Sequence, residues 1–190
     1  MRIISGAYRG RVLKTVEGPG YRPAMSRVRE ALFSMLESRG VVWCDCRILD
    51  LFAGSGSLAF EALSRGADDA WFVDLNPKAT ACIEKNAISL GIEQRRWRVI
   101  NEDLGRILCR RAPMPFDVIF IDPPYGKNLL APTLKSVMRN SWLADDGLII
   151  AEVERGLAFD AEKVHEELEL LVDRLYGQTR IVIWAKIEEN

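Results

Sequence analysis

Alternating strand and helix patterns between residues 47 and 153 constrain the fold of this chain more than any other feature. Short apolar runs rich in β-branched and aromatic residues predict strands at residues 47–52, 70–74, 98–101, 117–121 and 147–153. Helical periodicity predicts helices between them, at residues 57–65, 77–90, 104–111 and 129–140. Because the connections are short, we predict an α/β fold: a parallel sheet covered by helices on both faces, with ligands at the carboxyl edges of the strands.

Further patterns flank this alternating region. Residues 168–176 and 179–186 surround Gly177-Gln178 and predict a closing antiparallel hairpin. Ser26 is the predicted N-cap of a helix that ends near residue 37 and has its apolar residues on one face. Residues 2–15 predict a short hairpin around Gly6 and Gly10, and residues 18–20 predict a turn.

The composition favours one compact domain in a reducing compartment. The chain has 190 residues, 48% of them hydrophobic, which is enough for one core. We expect a cytoplasmic protein without membrane contact, because no apolar run has the length of a membrane span and no signal-peptide pattern begins the chain. Four cysteines and His165 form no paired ligand cluster, so we predict free thiols and no metal site.

Charge is distributed unevenly along the chain. The formal net charge is −1, yet residues 1–29 carry seven basic side chains against Glu17 alone. This asymmetry predicts that a basic N-terminal extension, residues 1–25, meets a polyanion, while residues 26–190 form the main domain. A well-hydrated surface arm with no partner is an equally open interpretation. The basic residues are Arg2, Arg9, Arg11, Lys14, Arg22, Arg27 and Arg29.

A glycine-rich segment follows the first predicted strand. Gly54, Gly56 and Ala59 match the pattern G-x-G-x-x-A, in which small residues let a ligand approach the backbone and let the next helix pack closely. Asp74 lies twenty residues beyond Gly54, at the end of the second predicted strand, where an acid can accept hydrogen bonds from ribose hydroxyls. A dinucleotide and S-adenosylmethionine both fit this arrangement.

Two other acidic residues near these strand ends have alternative interpretations. Asp103 follows the third predicted strand, where it could accept a hydrogen bond from an adenine amino group or could cap the next helix. Asp50 precedes the glycine loop, where it could face a cationic part of the ligand or could accept hydrogen bonds from loop N–H groups.

The quartet Asp122-Pro123-Pro124-Tyr125 directly follows the fourth predicted strand. Two prolines fix φ and remove two N–H donors, which leaves a stiff turn with a carboxylate, free carbonyl oxygens and an aromatic face. These groups suit a planar ring with an exocyclic amino group, because they accept its hydrogens and stack on its plane. A dehydrogenase would need a proton-transfer residue, and His165 lies far from any strand end. The combination indicates methyl transfer from S-adenosylmethionine to an amino nitrogen.

The chain resembles the bacterial small-subunit rRNA guanine-N2 methyltransferases called the small-subunit methyltransferase D family. The similar segments are residues 1–6, 9–11, 22–33, 50–61, 122–125 and 176–179. The resemblance implies a Rossmann-like class I methyltransferase fold, with a seven-stranded, mostly parallel sheet and a terminal antiparallel strand. It also implies S-adenosylmethionine as cofactor, with 16S rRNA in a 30S subunit or an assembly intermediate as the partner. We expect a monomer that needs neither metal nor membrane.

The resemblance also implies roles for individual residues. Asp74 would hold the cofactor ribose, Asp103 the adenine amino group, and residues 122–125 the target base. The predicted catalytic residues are Asp122, Pro123, Pro124 and Tyr125. The predicted cofactor-binding residues are Asp50, Phe52, Ala53, Gly54, Ser55, Gly56, Asp74, Leu75, Asp103 and Leu104. The predicted RNA-binding residues are Arg9, Arg11, Arg22, Arg27 and Arg29.

Several alternatives stay open. Arg22 or Arg29 could instead pair with acids of the main domain. An adenine-N6 methyltransferase acting on DNA or RNA shares the chemistry of the Asp122 turn. A protein glutamine methyltransferase typically has asparagine at that position, and a non-catalytic RNA-binding module would fail to bind the cofactor.

Overall fold

The computed structural model describes residues 1–16 and 26–187, and its secondary structure follows the predicted alternation. The helices are α1 (Ser26–Ser38), α2 (Ser57–Arg65), α3 (Pro77–Leu90), α4 (Leu104–Leu108) and α5 (Leu130–Arg139). The strands are β1 (Arg47–Leu51), β2 (Asp69–Val73), β3 (Trp97–Ile100), β4 (Phe116–Ile121), β5 (Leu143–Glu154), β6 (Leu168–Tyr176) and β7 (Thr179–Lys186). The turn predicted at residues 18–20 lies outside the described residues.

Two boundaries differ from the sequence prediction by more than one residue. Helix α4 ends at Leu108 instead of residue 111, because Pro113 and Pro115 commit the chain to an extended path toward β4. Strand β5 begins at Leu143, four residues before the predicted start, and its pairing with β4 is irregular between Phe116 and Val118. This irregularity accommodates the polar pair Asp145-Asp146, which interrupts the apolar pattern on which the prediction relied.

The sheet has the strand order β3-β2-β1-β4-β5-β7-β6. Strands β1 to β5 are parallel to one another, and β7 runs antiparallel to both β5 and β6. The predicted seven-stranded Rossmann-like sheet is therefore confirmed, and β7 is its antiparallel strand. The strand order reverses on either side of β1, and such a switch point opens a crevice at the carboxyl ends of the strands.

Helices cover both faces of the sheet, as the short connections predicted. On one face, α1, α2 and α3 pack on a core that includes Phe33, Phe60, Phe72 and Phe120. On the other face, α4 and α5 pack on a second core. No helix within residues 1–16 and 26–187 is long and apolar enough to cross a membrane.

Residues 1–16 pack against the main domain and form the predicted hairpin. Arg2 and Val12 form an antiparallel bridge, and Ile3 and Leu13 are buried in the core beneath α1 to α3. The carboxylate of Glu61 in α2 accepts hydrogen bonds from two backbone N–H groups of the arm, at 2.8 and 3.0 Å. We call residues 1–16 the basic arm. The division at residue 25 between an extension and the main domain stays a prediction.

Gly6 shows how closely the arm approaches α2. Its φ is +83°, and a Cβ built on it would lie 1.7 Å from the carbonyl oxygen of Ser64. The N–H of Ala7 donates to the same oxygen at 2.7 Å. Any side chain at Gly6 would therefore separate the arm from α2.

Candidate functional site

The carboxyl ends of β1, β2, β3 and β4 meet at one edge of the sheet. Leu51 at the end of β1 pairs with Val73 on one side and with Ile121 on the other. The loop after β1 therefore lies between the segment that begins with Asp74 and the quartet that begins with Asp122. The structure thus brings the predicted cofactor-binding and catalytic segments together at the switch point of the sheet.

The loop after β1, residues 52–56, has a left-handed backbone at three positions. We call it the glycine loop. Phe52, Gly54 and Gly56 have φ values of 62°, 56° and 75°. A Cβ on Gly56 would lie 2.8 Å from ring atoms of both Phe60 and Phe72, so packing behind the loop also requires glycine there. The bulky Phe52 is strained in this conformation, and such strain is concentrated at ligand sites.

Asp74 ties the glycine loop to the end of β2. Its Oδ2 accepts a hydrogen bond from the Gly54 N–H at 2.9 Å, and its Oδ1 accepts one from the Asn76 N–H at 2.8 Å. The residue is only 9% exposed. Because a carboxylate oxygen has two lone pairs, each oxygen can still accept a hydrogen bond from a hydroxyl group.

The segment that follows Asp74 is held by a residue that the sequence analysis did not identify. The side-chain amide of Asn101 donates to the carbonyl oxygens of Asp74 and Leu75, both at 2.9 Å. Leu75 is 64% exposed, which places an apolar surface beside the acid. Asn101 carries no sequence signal of its own, because an asparagine after a strand is common in ordinary turns.

The structure assigns local roles to the two acids whose interpretation was open. Asp50 is buried and accepts a hydrogen bond from the Ala59 N–H at 3.3 Å, in the first turn of α2. Burial raises the pKa of the Asp50 carboxyl well above its ordinary value, although this hydrogen bond opposes the shift. Asp103 is exposed and caps α4 by accepting from the Arg106 N–H at 3.2 Å. Contact of Asp50, Asp103 or Leu104 with a cofactor stays a prediction.

The loop of residues 122–125, which we call the Asp122 loop, is anchored on the last strands of the sheet. The Tyr125 hydroxyl lies 3.3 Å from Oγ1 of Thr179, and the Gly126 N–H donates to Oε1 of Glu154 at 2.9 Å. Glu154 and Thr179 face each other across β5 and β7. Pairing of the C-terminal hairpin with β5 therefore fixes the position of this loop.

A shallow, open depression lies beside the Asp122 loop. Its wall includes Pro123, Pro124 and Tyr125 together with Val153 and Leu157 of the neighbouring segment. The wall combines a proline pair, an aromatic ring and aliphatic side chains with the polar Asn128 and Glu154, so it offers a flat ring system both apolar contact and hydrogen-bond partners.

A second carboxyl group lies beside Asp122. Ile121 pairs with Ala151 in the parallel register of β4 and β5, which places Glu152 alongside Asp122. Burial, together with the charges of Glu152 and Asp50, raises the pKa of the Asp122 carboxyl well above its ordinary value. Burial also raises the pKa of Glu152, and the positive charge of Arg29 opposes that shift. Asp122 is therefore a stronger proton acceptor than an exposed aspartate.

The structure corrects the prediction that Arg29 contacts RNA. Its side chain is 0% exposed, and its guanidinium group lies 3.9 Å from the Glu61 carboxylate. It also donates to the backbone carbonyl of Arg2 and to Sδ of Met1. Arg29 therefore holds the arm on α1 and α2, which is the ion-pair alternative left open by the sequence.

The other predicted RNA-binding arginines lie at the surface or outside the described residues. Arg9, Arg11 and Arg27 are exposed, and Arg11 also donates to the carbonyl oxygen of Ser89 in α3 at 2.5 Å. Arg22 lies outside the described residues. Contact of these arginines with RNA stays a prediction.

The cysteines do not contribute to the site. All four are free, and Cys44 and Cys109 are exposed. Within residues 1–16 and 26–187, no group of three or more His, Cys, Asp or Glu side chains is arranged to hold a metal ion.

Comparisons with known proteins agree with this arrangement. The family described as Conserved hypothetical protein 95 matches residues 1–185. An Escherichia coli K12 protein named ribosomal RNA small subunit methyltransferase D is 40% identical over 159 residues, which is 83% of this chain and 77% of that protein. The solved structure of Escherichia coli yhhF has a TM-score of 0.84 and 33% identity, covering 100% of this chain and 99% of the other. A Haemophilus influenzae crystal structure has a TM-score of 0.82 and 32% identity, covering 98% of each chain.

The matched segment contains the basic arm, all of the sheet except the last residue of β7, and every loop at its carboxyl edge. The residues at that edge fit S-adenosylmethionine, because Asp74 has free lone pairs for a ribose diol and Leu75 offers an apolar surface to an adenine ring. This chain therefore belongs to the small-subunit rRNA methyltransferase D family and uses S-adenosylmethionine as its cofactor.

Proposed function

We propose that this protein methylates the exocyclic N2 of a guanine in 16S rRNA of the small ribosomal subunit. The anchored Asp122 loop beside the glycine loop is the observation that carries this proposal. The name of the Escherichia coli relative supports small-subunit rRNA as the target. The substrate would be a 30S subunit or an assembly intermediate in the cytoplasm.

The cofactor would lie across the ends of β1, β2 and β3. Asp74 would accept hydrogen bonds from the ribose hydroxyls with the lone pairs that its backbone contacts leave free. Leu75 and Leu104 would enclose the adenine ring, and Asp103 would accept from its amino group. The backbone of the glycine loop and Asp50 would face the amino-acid end. When bound, S-adenosylmethionine supplies an electrophilic methyl group.

The Asp122 loop would orient the attacking nitrogen. The lone pair of guanine N2 is delocalised into the ring, so the free amino group is a poor nucleophile. The Asp122 carboxylate and the Pro123 carbonyl would accept its two N–H hydrogens, which localises the lone pair and aims it at the methyl group. Tyr125 would stack on the base after the base leaves its RNA stack.

Proton transfer would follow formation of the new bond. As the N–C bond forms and the bond between the methyl group and the sulfonium breaks, with S-adenosylhomocysteine as the leaving group, N2 would become positively charged and would lose one proton to the Asp122 carboxylate. The raised pKa of Asp122 suits this role, because the carboxyl group keeps the proton until the methylated base leaves. Glu152 lies alongside and increases this proton affinity through its charge.

The exposed arginines of the arm and of α1 would bind RNA phosphates. Arg9, Arg11 and Arg27 are exposed, and most of the acidic residues lie elsewhere in the chain. Lysine and arginine contacts to phosphate release counterions and supply affinity without sequence readout. Sequence readout would then fall to the depression at the Asp122 loop.

Nucleoside analysis tests the proposed function directly. Small subunits from cells that lack the protein are incubated with the purified protein and S-adenosylmethionine, and their rRNA is digested and analysed by mass spectrometry. We expect one N2-methylguanosine per subunit. Appearance of N6-methyladenosine would instead support the adenine alternative, and absence of any new methylated nucleoside would contradict both.

A further inference from the structure

A buried side chain of α3 connects the basic arm to the glycine loop. Asn86 is 1% exposed and belongs to neither segment. Its Oδ1 accepts a hydrogen bond from the Lys14 N–H at 2.8 Å, and its Nδ2 donates to the Lys14 carbonyl oxygen at 3.0 Å. The same Nδ2 donates to the Ser55 carbonyl oxygen at 3.3 Å.

The chemistry of these contacts allows one orientation of the amide group. Nδ2 carries two hydrogens and faces two carbonyl oxygens, with Sγ of Cys82 as a weaker acceptor at 3.8 Å. Oδ1 faces an N–H group. An exchanged orientation would set the NH₂ group against an N–H and the oxygen against two carbonyls, which is repulsive at each contact. All hydrogen-bonding groups of the amide are therefore used in joining the two segments.

Fixing the Ser55 carbonyl matters for the cofactor site. Ser55 lies between Gly54 and Gly56, and glycine restricts the rotation of neighbouring peptide planes less than any other residue. Asp74 holds the Gly54 N–H on one side of the loop, and Asn86 holds the Ser55 carbonyl. A loop fixed at both points loses less conformational entropy when it binds a ligand.

The arm contacts one face of α3 beyond Asn86. Cys82 lies four residues before Asn86, and its Sγ donates to the Lys14 carbonyl at 3.3 Å. Ser89, three residues after Asn86, accepts from Arg11 through its backbone carbonyl. Residues at this spacing share a helix face. Among the described residues of α3 that form hydrogen bonds with the arm, Asn86 also donates a hydrogen bond to the glycine loop.

We propose that Asn86 is a positioning residue that couples the basic arm to the glycine loop. RNA bound on the arm would then strengthen cofactor binding, and the cofactor would strengthen RNA binding by the same factor. The first half of this proposal, that Asn86 positions the glycine loop, requires only that the protein binds its cofactor. The second half, that RNA strengthens cofactor binding, rests on the proposed function.

Ligand binding with and without RNA tests both halves of this inference. S-adenosylhomocysteine serves as the probe, because it occupies the cofactor site without turnover, and equilibrium dialysis gives its affinity. We expect Asn86→Ala to bind it about tenfold more weakly without RNA, as loss of one positioning hydrogen bond predicts. Saturation with unmethylated small subunits should increase the affinity of the wild type for S-adenosylhomocysteine by roughly 5- to 150-fold, the usual range of coupling between two sites. The same saturation should change the affinity of Asn86→Ala little.

Cys82→Ala is the matched control. It removes the Sγ contact with Lys14 and a weak 3.8 Å contact of Sγ with Nδ2 of Asn86, but it leaves the bonds of Asn86 to Lys14 and Ser55 in place. Its affinity for S-adenosylhomocysteine should therefore equal that of the wild type. Asn86→Gln keeps a buried amide but displaces it by one methylene, and we expect a smaller loss in the same direction. Thermal unfolding identifies the variants that are folded at the assay temperature. If Asn86→Ala is unfolded at that temperature, Asn86→Gln provides the test.

Three results would overturn the inference in distinguishable ways. Wild-type affinity in a folded Asn86 variant without RNA would show that the amide does not position the loop. Full strengthening by small subunits in that variant would show that coupling takes another route. If small subunits neither bind the wild type nor increase its affinity for S-adenosylhomocysteine, the coupling and the proposed substrate are both wrong. In that case, weaker binding of S-adenosylhomocysteine by the Asn86 variant without RNA would still establish that Asn86 positions the loop.

Discussion

At the scale of single residues, Asp122 and Glu152 illustrate how strand register determines chemistry. The two carboxyl groups are thirty positions apart in the sequence, and the parallel pairing of β4 and β5 places them side by side. Neighbouring like charges in a partly buried position increase each other's proton affinity. The turn at Asp122 is visible in the sequence. The neighbouring acid Glu152 is not, because a glutamate near the end of a strand has no distinguishing pattern.

Replacing Asp122 with asparagine should separate chemistry from binding. Asp122→Asn keeps the shape of the side chain but removes its charge, so the methylation rate should fall by about two powers of ten, as loss of one transition-state contact commonly causes. Affinity for S-adenosylmethionine, measured by calorimetry, should change little. Asp145→Asn is the control, because its exposed ion pair with Lys186 lies away from the site and contributes little stability. Near-normal turnover of Asp122→Asn would assign the carboxylate a purely structural role.

Replacing Glu152 with glutamine should alter the pH dependence of the reaction. The rate falls as pH decreases through the pKa of Asp122, because a protonated carboxyl group no longer accepts the N2 proton. The charge of Glu152 raises that pKa, so Glu152→Gln lowers it and should move the acidic limb of the kcat–pH profile to lower pH. An unchanged limb in the folded variant would show that another group controls the profile.

At the scale of secondary-structure elements, α1 has two arginines with opposite environments. Arg27 is exposed, and Arg29, two residues later, is fully buried against Glu61. Residues two apart lie on different sides of a helix, so the same residue type serves different purposes. Composition alone counts both as basic charges available to a polyanion, and only the packing of α1 on the arm distinguishes them.

Arg27 and Arg29 therefore form a matched pair for mutagenesis. Arg29→Ala should reduce the free energy of unfolding by about 2 kcal/mol, because the partly buried carbonyl of Arg2 loses its charged donor. Glu61, by contrast, keeps its ion pair with Arg65 at 3.0 Å. Arg27→Ala should leave thermal stability unchanged and weaken RNA binding. Denaturant unfolding and RNA binding, measured on both variants, check the pair. An Arg29→Ala variant with unchanged stability and weaker RNA binding would contradict the structural role of Arg29.

At the scale of the whole molecule, the basic arm and the cofactor site lie on one body. The arm docks on α2 and α3 and is continuous with the core beneath α1 to α3, while α4 and α5 cover the opposite face. RNA bound on the arm would therefore be held in a fixed relation to the Asp122 loop. Fixed geometry of this kind is what aligns a base with a methyl donor.

The salt dependence of RNA binding should identify the face that contacts RNA. Replacing Arg9 and Arg11 with alanine should weaken binding and reduce the slope of log affinity against log salt by about 0.7 to 0.9 for each lost phosphate contact. The control is the double replacement of Lys135 and Arg139, which are exposed on α5 across the sheet. The control should leave both affinity and slope unchanged. Equal slopes for the wild type and the arm variant would place the RNA elsewhere.

The sequence by itself determined the order of strands and helices, the two loops of the site and the class of the protein. These properties depend on periodicity, glycine and proline, which act over a few residues and are therefore readable locally. Gly54, Asp74 and the Asp122 quartet were predicted from such patterns, and the structure brings them to one edge of the sheet. Only the tertiary structure decided how Arg29, Asn86, Asn101 and Glu152 act. Each of them acts through partners distant in sequence, and burial and strand register bring these partners together only when the chain folds.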